Sequence, residues 1–456
     1  MKTIKSITIE ELFGSYNHHI EFKQQEDITI LLGQNGIGKT SILKILDMLF
    51  NHQLSLLTQI PFKKTTIVFD NDLELIIKLV NGTSEQAFDY EFSTGDWIEA
   101  TRCSIIANNV KTALRNARNY ISDRYKNDED VWIDRKTGAW MTGEELVWQI
   151  MSENSLFSFD SEEIYPMFLY RLIDDVNVNF IHTNRLQTQL ASVIPGRAIS
   201  KGIVEYQNTL DIIAVEMKER LERVKKQYGQ RAAELDQTYP YRLVENLATP
   251  KFSKAELHNQ TSLLEEQEAK RIRLVEAGLL KLKNQEMKPL KTDSQSPYVL
   301  KAISIFVSDL REKFSILDEE LERIELFREL INSRFLRKKV IVDDEMGIEV
   351  VSTINDKEIP LSKLSSGEQH LLVLYYDMIF RYPAGTLLLI DEPEISLHIS
   401  WQKKFIPEMK RIMTINQMKD IIATHSPSLI GRYWGITEEL DKDLNDANKN
   451  NDANID

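Results

Sequence analysis

This sequence predicts an α/β fold in two segments divided by a long helical insertion, and three observations predict it. Residues 28–50, ITILLGQNGIGKTSILKILDMLF, run as an apolar strand into a glycine-rich turn and restart as an apolar-faced helix. Residues 386–390 (TLLLI) and 419–424 (KDIIAT) are short apolar runs that each end in polar residues, the pattern of buried parallel strands offering groups at their carboxyl tips. Between these segments, residues 202–335 are dense in Glu, Lys and Leu, with apolar positions spaced by three and four.

The glycine-rich turn fits G-x-x-x-x-G-K-[ST], with Gly33, Asn35, Gly36, Gly38, Lys39, Thr40 and Ser41 in the loop and at the helix start. Glycines let successive backbone N–H groups converge on a phosphate, while the helix behind presents the positive end of its dipole to the same anion. In that geometry Lys39 reaches the outer phosphates and Thr40 holds Mg²⁺ through its hydroxyl. A chance match in a glycine-containing turn would lack the flanks, and here a strand precedes the loop and a helix follows it. By itself the loop points to a nucleotide and a metal ion, Mg²⁺ in the usual arrangement.

Composition narrows the class. The chain has 456 residues, 42% of them hydrophobic, enough for two or three packed domains of an ordinary globular protein. No run approaches the roughly 18 apolar residues of a membrane span, and the N-terminus alternates like a strand, so a cytoplasmic protein is expected. Cys103 is the single cysteine, which excludes an internal disulfide framework and any C-x-x-C metal hook. The formal net charge of −14 gives no support to a surface that is basic overall.

In chain order, residues 3–11 alternate and extended character resumes at 19–22, so the chain opens with a hairpin. Tyr16 and His18 fall at its turn; they could lie against an adenine base or be exposed turn polarity. Strand-like runs follow at 65–69, 73–79 and 87–92. From 94 to 166 the pattern loosens into an insertion with short helical stretches, among them 109–125 and 142–154. A strand is expected within 174–183, and the residues after it are candidates for ligand contact: Arg185 for phosphate charge, Gln187 or Gln189 for Mg²⁺ or the attacking water.

The helical part has Leu210, Ile213, Met217, Leu221, Val224 and Tyr228 on one face, interrupted by Pro240 and Pro250. A second run covers 255–288. In a third, Ile303, Val307, Leu310, Phe314, Leu317, Leu321 and Ile324 form one heptad seam, which predicts a short antiparallel hairpin or bundle. Strand pairing returns at 338–342 and 347–351. Residues 361–380 read as a Ser-Ser-Gly turn entering a helix, with Ser365 or Ser366 as N-cap and Glu368 in the first turn. The strand at 386–390 then delivers Asp391 and Glu392, one carboxylate suited to a cation and the other to water activation. The strand at 419–424 ends in His425. Residues 437–456 are acidic, poor in apolar content and expected to be disordered.

Taken together, GQNGIGKT at 33–40, LSSGEQ at 364–369, LLLIDEPE at 387–394, SLH at 396–398 and ATHSP at 423–427 resemble, in order, the Walker A, signature, Walker B, D-loop and switch-histidine motifs of ABC-type ATPases. The branch resembled is that of RecF, SMC and OLD proteins rather than transporters. The resemblance covers the two ends of the chain and implies a two-lobed ABC-type ATPase head (P-loop NTPase) with an inserted helical/coiled-coil region. The implied boundaries are lobe I at 1–93, an inserted region and inter-lobe strand at 94–201, the helical insertion at 202–337, lobe II at 338–432 and an acidic tail at 433–456.

It further implies ATP hydrolysis, slow and regulatory, at a site shared between two protomers. Lys39 and Thr40 hold phosphate and Mg²⁺, Asp391 supports Mg²⁺, Glu392 is the general base and His425 senses the γ-phosphate. Ser365, Ser366, Gly367 and Glu368 are donated by the second protomer, so at least a head-to-head dimer is expected. The inter-lobe glutamine has no unique match, leaving Gln187 and Gln189 open. At this size the chain resembles the ATPase subunit of a two-gene anti-phage system, the AriA family of PARIS first and the PtuA family of Septu second. That implies a separate effector nuclease, Toprim-type (AriB-like) or HNH-type (PtuB-like), and a phage-encoded trigger. The alternative is a RecF-like DNA-repair ATPase that clamps DNA; the acidic net charge and only small basic clusters, such as Arg334, Arg337, Lys338 and Lys339, lean towards the sensor and scaffold instead.

Overall fold

The computed structural model describes residues 3–23, 26–51, 53–57, 59–80, 87–94, 97–104, 125–128, 131–134, 140–142, 146, 176–183, 185–190, 205–247, 254–281, 296–395 and 397–440. The chain separates into two compact units, one formed by 1–185, 189–206 and 382–456, the other by 186–188 and 207–381.

The first unit opens with β1 (Ile4–Leu12) and β2 (Tyr16–Glu21), an antiparallel hairpin whose register shifts between Ile9 and Leu12. Ile7, Ile9 and Leu12 are fully buried. Then come β3 (Ile28–Leu32), α1 (Lys39–Phe50), the short α2 (Leu54–Leu57), β4 (Lys64–Phe69), β5 (Glu74–Val80), β6 (Ala87–Thr94) and β7 (Trp97–Ser104). All of these strands except β3 build a six-stranded sheet in the order β2-β1-β4-β5-β6-β7. The sheet runs past the expected edge at residue 93, because β7 pairs antiparallel with β6, Thr94 opposite Trp97. The short strands β8 (Tyr125–Asp128), β9 (Val131–Asp134) and β10 (Trp140–Thr142) form a further small sheet. Within 94–166 the described elements are strands, and the helical stretches expected at 109–125 and 142–154 are described only at residues 125, 142 and 146, the last of them helical. The stretches 109–124 and 147–154 lie outside the described residues.

After β11 (Val178–Ile181), the short strands β12 (Gln187–Leu190) and β13 (Glu205–Asn208) precede the helices. The second unit holds α3 (Thr209–Leu247), α4 (Lys254–Glu276), α5 (Pro297–Ser315), α6 (Asp318–Asn332), the hairpin β14 (Lys338–Asp343) and β15 (Gly347–Ser352), and α7 (Ser366–Tyr376). Two expectations are corrected here. Pro240 does not end the helix but sits inside α3. In the turn before it, Thr238 Oγ1 donates to the carbonyls of Glu234 and Leu235, and Arg242 Nη2 donates to Leu235, so side chains serve carbonyls around the proline. Pro250 lies outside the described residues. The third run, expected as one unbroken seam, is divided between α5 and α6 at Leu317, where Asp318, Glu319 and Glu320 place three carboxylates in the first turn of α6, against the positive end of its dipole. Phe314, Leu317, Leu321 and Ile324 are buried on both sides of that break.

The chain returns to the first unit with β16 (Leu387–Asp391), α8 (Ile399–Asn416), β17 (Lys419–Thr424), α9 (Pro427–Ile430) and β18 (Thr437–Glu439). The five-stranded sheet has the order β11-β16-β17-β3-β18, with every pairing parallel. Ile181, Ile390, Ile422 and Ile30 stand in one row across it, so the carboxyl tips of these strands end level. α1 packs on β11, β16 and β17, burying Ile42, Leu43, Ile45, Leu46 and Leu49. β18 corrects the expectation of disorder from 437 onward: Thr437–Glu439 pairs with β3, and Lys23 reaches Glu438 at 2.6 Å. Residues 441–456 lie outside the described set. Among the described residues no helix is long and apolar enough to cross a membrane.

One residue of this sheet works against the fold at neutral pH. Asp420 is 2% exposed, and among the described residues neither carboxyl oxygen has a hydrogen-bond partner. Burial, and secondarily the nearby Asp27, push its carboxyl well above the usual range. A carboxyl raised in the folded state binds its proton more tightly there than in the unfolded chain. Stability is thus greatest below the unfolded carboxylate range and falls, by up to about 1.4 kcal/mol per pH unit, as pH rises toward the folded value. Asp420→Asn is expected to raise the melting temperature at pH 7, with the gain shrinking as pH is lowered toward 4. A calorimetric pH series on both proteins measures it; an equal gain at every pH contradicts the assignment.

Candidate functional site

The site is built where those level strand tips meet the start of α1. Gly38 caps α1 at φ 103°, a left-handed conformation suited to glycine, and a Cβ there would come 2.4 Å from Leu12 Cδ2. Lys39 is 5% exposed, and its ammonium donates to the carbonyls of Gly33 at 2.7 Å and Gln34 at 3.0 Å, so the lysine lies inside its own loop. Phe13, Asn35, Gly36, Gly38, Lys39, Thr40, Ser41 and Glu392 line a cavity of about 400 Å³.

Asp391 ends β16 and gathers the polar groups of its neighbours. Thr40 Oγ1 donates to its two carboxylate oxygens at 3.0 and 3.1 Å, Thr183 Oγ1 donates to Oδ2 at 3.0 Å, and Arg185 Nη2 donates to its carbonyl at 3.1 Å. A threonine hydroxyl beside an aspartate carboxylate is a set of hard oxygen donors, which fits Mg²⁺. Glu392 follows with φ 44°, its backbone N–H donating to Ala423 at 2.9 Å and its Oε2 lying 3.3 Å from His425 Nδ1. A non-glycine residue held in the left-handed region costs of order 1–3 kcal/mol and marks a position the surrounding structure over-determines. Glu394, 6% exposed, accepts from Thr424 Oγ1 at 2.6 Å and from the His425 N–H at 2.9 Å. The arrangement brings a glycine-rich loop with its lysine, a threonine–aspartate pair and a carboxylate–histidine pair to one edge of one sheet.

The remaining expected residues are placed as follows. Ser365 caps α7 in a reciprocal box: its N–H and hydroxyl donate to Glu368 Oε2 at 2.9 Å each, and Glu368 N–H returns to Ser365 Oγ at 3.4 Å. Burial pushes the Glu368 carboxyl up, but Lys338, 2.8 Å away, and the two Ser365 donors outweigh it and hold it below its usual value. Ser366 and Gly367 open the helix behind that cap, in the second compact unit. The basic cluster is partly consumed: Lys338 is tied to Glu368, and Arg334 is 8% exposed with a bond to the Leu330 carbonyl. His18 is not exposed turn polarity: it lies in β2, 4% exposed, with Nε2 2.9 Å from the Ile37 carbonyl of the phosphate loop, and Tyr16 packs on the core. Phe13 is the aromatic residue that lines the cavity. The side chains of Gln187 and Gln189 lie outside the described residues.

Thr183, Phe13 and Glu394 were missed by sequence reading. Thr183 had a signal, since it follows the strand paired with β16 by two residues and so arrives beside Asp391. Phe13 had none, because its place depends on the register shift that ends β1.

The AAA ATPase domain family matches residues 1–430 of the chain. A retron Ec83 probable ATPase of Escherichia coli is 26% identical over 173 residues, a match spanning 32% of this chain and 31% of that relative's length. Among solved structures, the Smc head domain with an extended coiled coil bound to the C-terminal domain of ScpA, from Pyrococcus furiosus, aligns over 94% of this chain and 91% of that one, at 15% identity and a TM-score of 0.36. An SmcHead bound to the C-winged helix domain of ScpA aligns over the same shares at 10% identity and a TM-score of 0.34.

Proposed function

Because the chain belongs to the AAA ATPase domain family, with a P-loop head of the ABC type, we propose that it is the ATP-hydrolysing sensor and scaffold of an anti-phage defence system. In this reading it is a cytoplasmic protein that assembles at least as a dimer, answers a phage-encoded trigger and controls a separate effector nuclease. The observation that carries the ATPase half is the convergence of Lys39, Thr40, Asp391, Glu392 and His425 on one sheet edge. The defence half is supported by the likeness to the retron ATPase over part of its length.

The chain's residues divide the work. Loop N–H groups and Lys39 bind the phosphates, with the Lys39 ammonium exchanging loop carbonyls for phosphate oxygens. Thr40 and Asp391 would hold Mg²⁺, which neutralises charge on the phosphate oxygens when bound. Glu392 takes a proton from the attacking water. His425, on the neighbouring strand tip, senses the terminal phosphate. The Ser365–Gly367 turn of a second protomer completes the site, so that ATP joins two copies, and hydrolysis is slow and coupled to triggering. Gln187 or Gln189 is the further contact to metal or water. The partner nuclease is of the Toprim or HNH type.

The lean away from the DNA-clamp alternative is supported by the small basic cluster itself, since Lys338 and Arg334 are engaged within the fold and leave Arg337 and Lys339 as its exposed members. Purification from the native operon tests the choice. Wild type is expected to retain a nuclease that Lys39→Ala retains less well, and Lys39→Ala is expected to lose ATP affinity at least about 10-fold, equivalent to about 1.4 kcal/mol. Absence of any nuclease, together with steeply salt-dependent duplex DNA binding by ATP-loaded Glu392→Gln protein, would establish the clamp instead.

A further inference from the structure

We infer that Glu394 is a positioning residue that acts through His425. This rests on the role given to His425 above and extends it to a carboxylate outside the cavity lining. Glu394 Oε1 takes the Thr424 hydroxyl at 2.6 Å and the His425 N–H at 2.9 Å, and it lies 3.2 Å from His425 Nδ1. One buried oxygen thus fixes both the backbone and the ring of the histidine at the tip of β17. The same Nδ1 is 3.3 Å from Glu392 Oε2, so the ring stands between the two carboxylates. Two carboxylate oxygens beside Nδ1 favour a hydrogen over a lone pair on that nitrogen and so restrict the ring's orientation. Ligand atoms of Glu392, Glu394 and His425 all lie within 4.8 Å of one another, a spacing these hydrogen bonds and ring contacts account for without a metal ion.

The consequence is a division between the two glutamates of the DEPE segment. Glu392 is in the cavity lining and faces the reacting water. Glu394 is 6% exposed, has three donors' worth of contact to residues 424 and 425, and keeps the histidine where it can meet phosphate. Among the described residues its Oε2 has no hydrogen-bond partner, so glutamine can place its amide nitrogen there and leave an oxygen for Thr424 and the His425 N–H. Glutamine removes only the charge beside Nδ1; alanine removes the anchor as well.

The test is a double-variant cycle in full-length protein, measuring kcat for ATP and the Kd of a fluorescent ATP analogue separately. Glu394→Ala is expected to lower kcat about 10–100-fold while changing Kd less than about threefold. The double variant Glu394→Ala with His425→Ala is expected to turn over no more slowly than His425→Ala alone, because a residue acting through His425 has nothing left to position. Glu394→Gln is expected to keep the wild-type melting temperature and an intermediate kcat. If Glu394→Ala does not fold, Thr424→Val removes one donor to the same oxygen and is expected to lower kcat in the same non-additive way. Additive losses in the cycle, or kcat and affinity falling together, overturn the inference. His425→Ala slow with Glu394→Ala unchanged overturns this inference alone, whereas His425→Ala at wild-type turnover overturns the role of His425 and this inference with it.

Discussion

Glu392→Gln is expected to lower ATP turnover 10²–10⁴-fold while leaving nucleotide binding near wild type, the range spanned by loss of a general base. The substitution keeps the shape of the side chain and removes its basicity. The backbone there is held independently of the side chain, by the bond from Glu392 N–H to Ala423, so the φ of 44° survives the change. Lys39, Thr40 and the loop glycines are untouched, and binding therefore persists. If ATP joins protomers, the variant should accumulate as an ATP-dependent oligomer on size-exclusion chromatography, while wild type passes through that state. A loss under about 10-fold would assign the base elsewhere, with His425 the nearest candidate at 3.3 Å.

The second large effect is on stability and falls in the other compact unit. Gly347→Ala is expected to destabilise by about 3–5 kcal/mol or to prevent folding, because two penalties act together. Gly347 has φ 77°, and a Cβ built there would lie 1.9 Å from the Ala214 carbonyl oxygen and 2.9 Å from its carbon. These are backbone atoms of α3 and cannot rotate away. Gly14 supplies an internal control: its φ is 78°, but nothing lies within 4 Å of a Cβ there. Gly14→Ala should cost only the conformational part, about 1–2 kcal/mol. Equal losses of melting temperature for the two variants would show that φ rather than the approach of α3 dominates.

The candidate site was legible in the sequence wherever chemistry is local. A phosphate loop is a contiguous strand, turn and helix, so residues 33–41 declare themselves, and Asp391, Glu392 and His425 sit immediately past apolar strands that declare themselves equally well. The N-cap at Ser365 was visible for the same reason, since a capping box spans four residues. What depended on pairing between distant strands was not legible. Thr183 reaches Asp391 only because Ile181 pairs with Ile390, and His18 is buried only because β2 runs beside the loop at Ile37. The helices show the opposite failure. Spacing placed the apolar faces well, but periodicity carries across a helix break, so the seam through Phe314 and Leu317 gave no sign that the three acids at 318–320 start another helix. Pro240 misled because its tolerance rests on Thr238 and Arg242, whose side-chain bonds no pattern reveals.

The strand order of the parallel sheet governs how the protein can be made. β3 stands between β17 and β18, which are encoded at 419–424 and 437–439, and so it gains its neighbours only when the ribosome has added 391 further positions, from Ile28 to Lys419. At about 5–20 residues per second, this leaves β3 with unpaired edges for roughly 20–80 seconds. Such non-local pairing is slow to nucleate and exposed to aggregation. Yield from rapid overexpression should therefore respond to chaperone supply and to lowered temperature more than to any change in the phosphate loop itself.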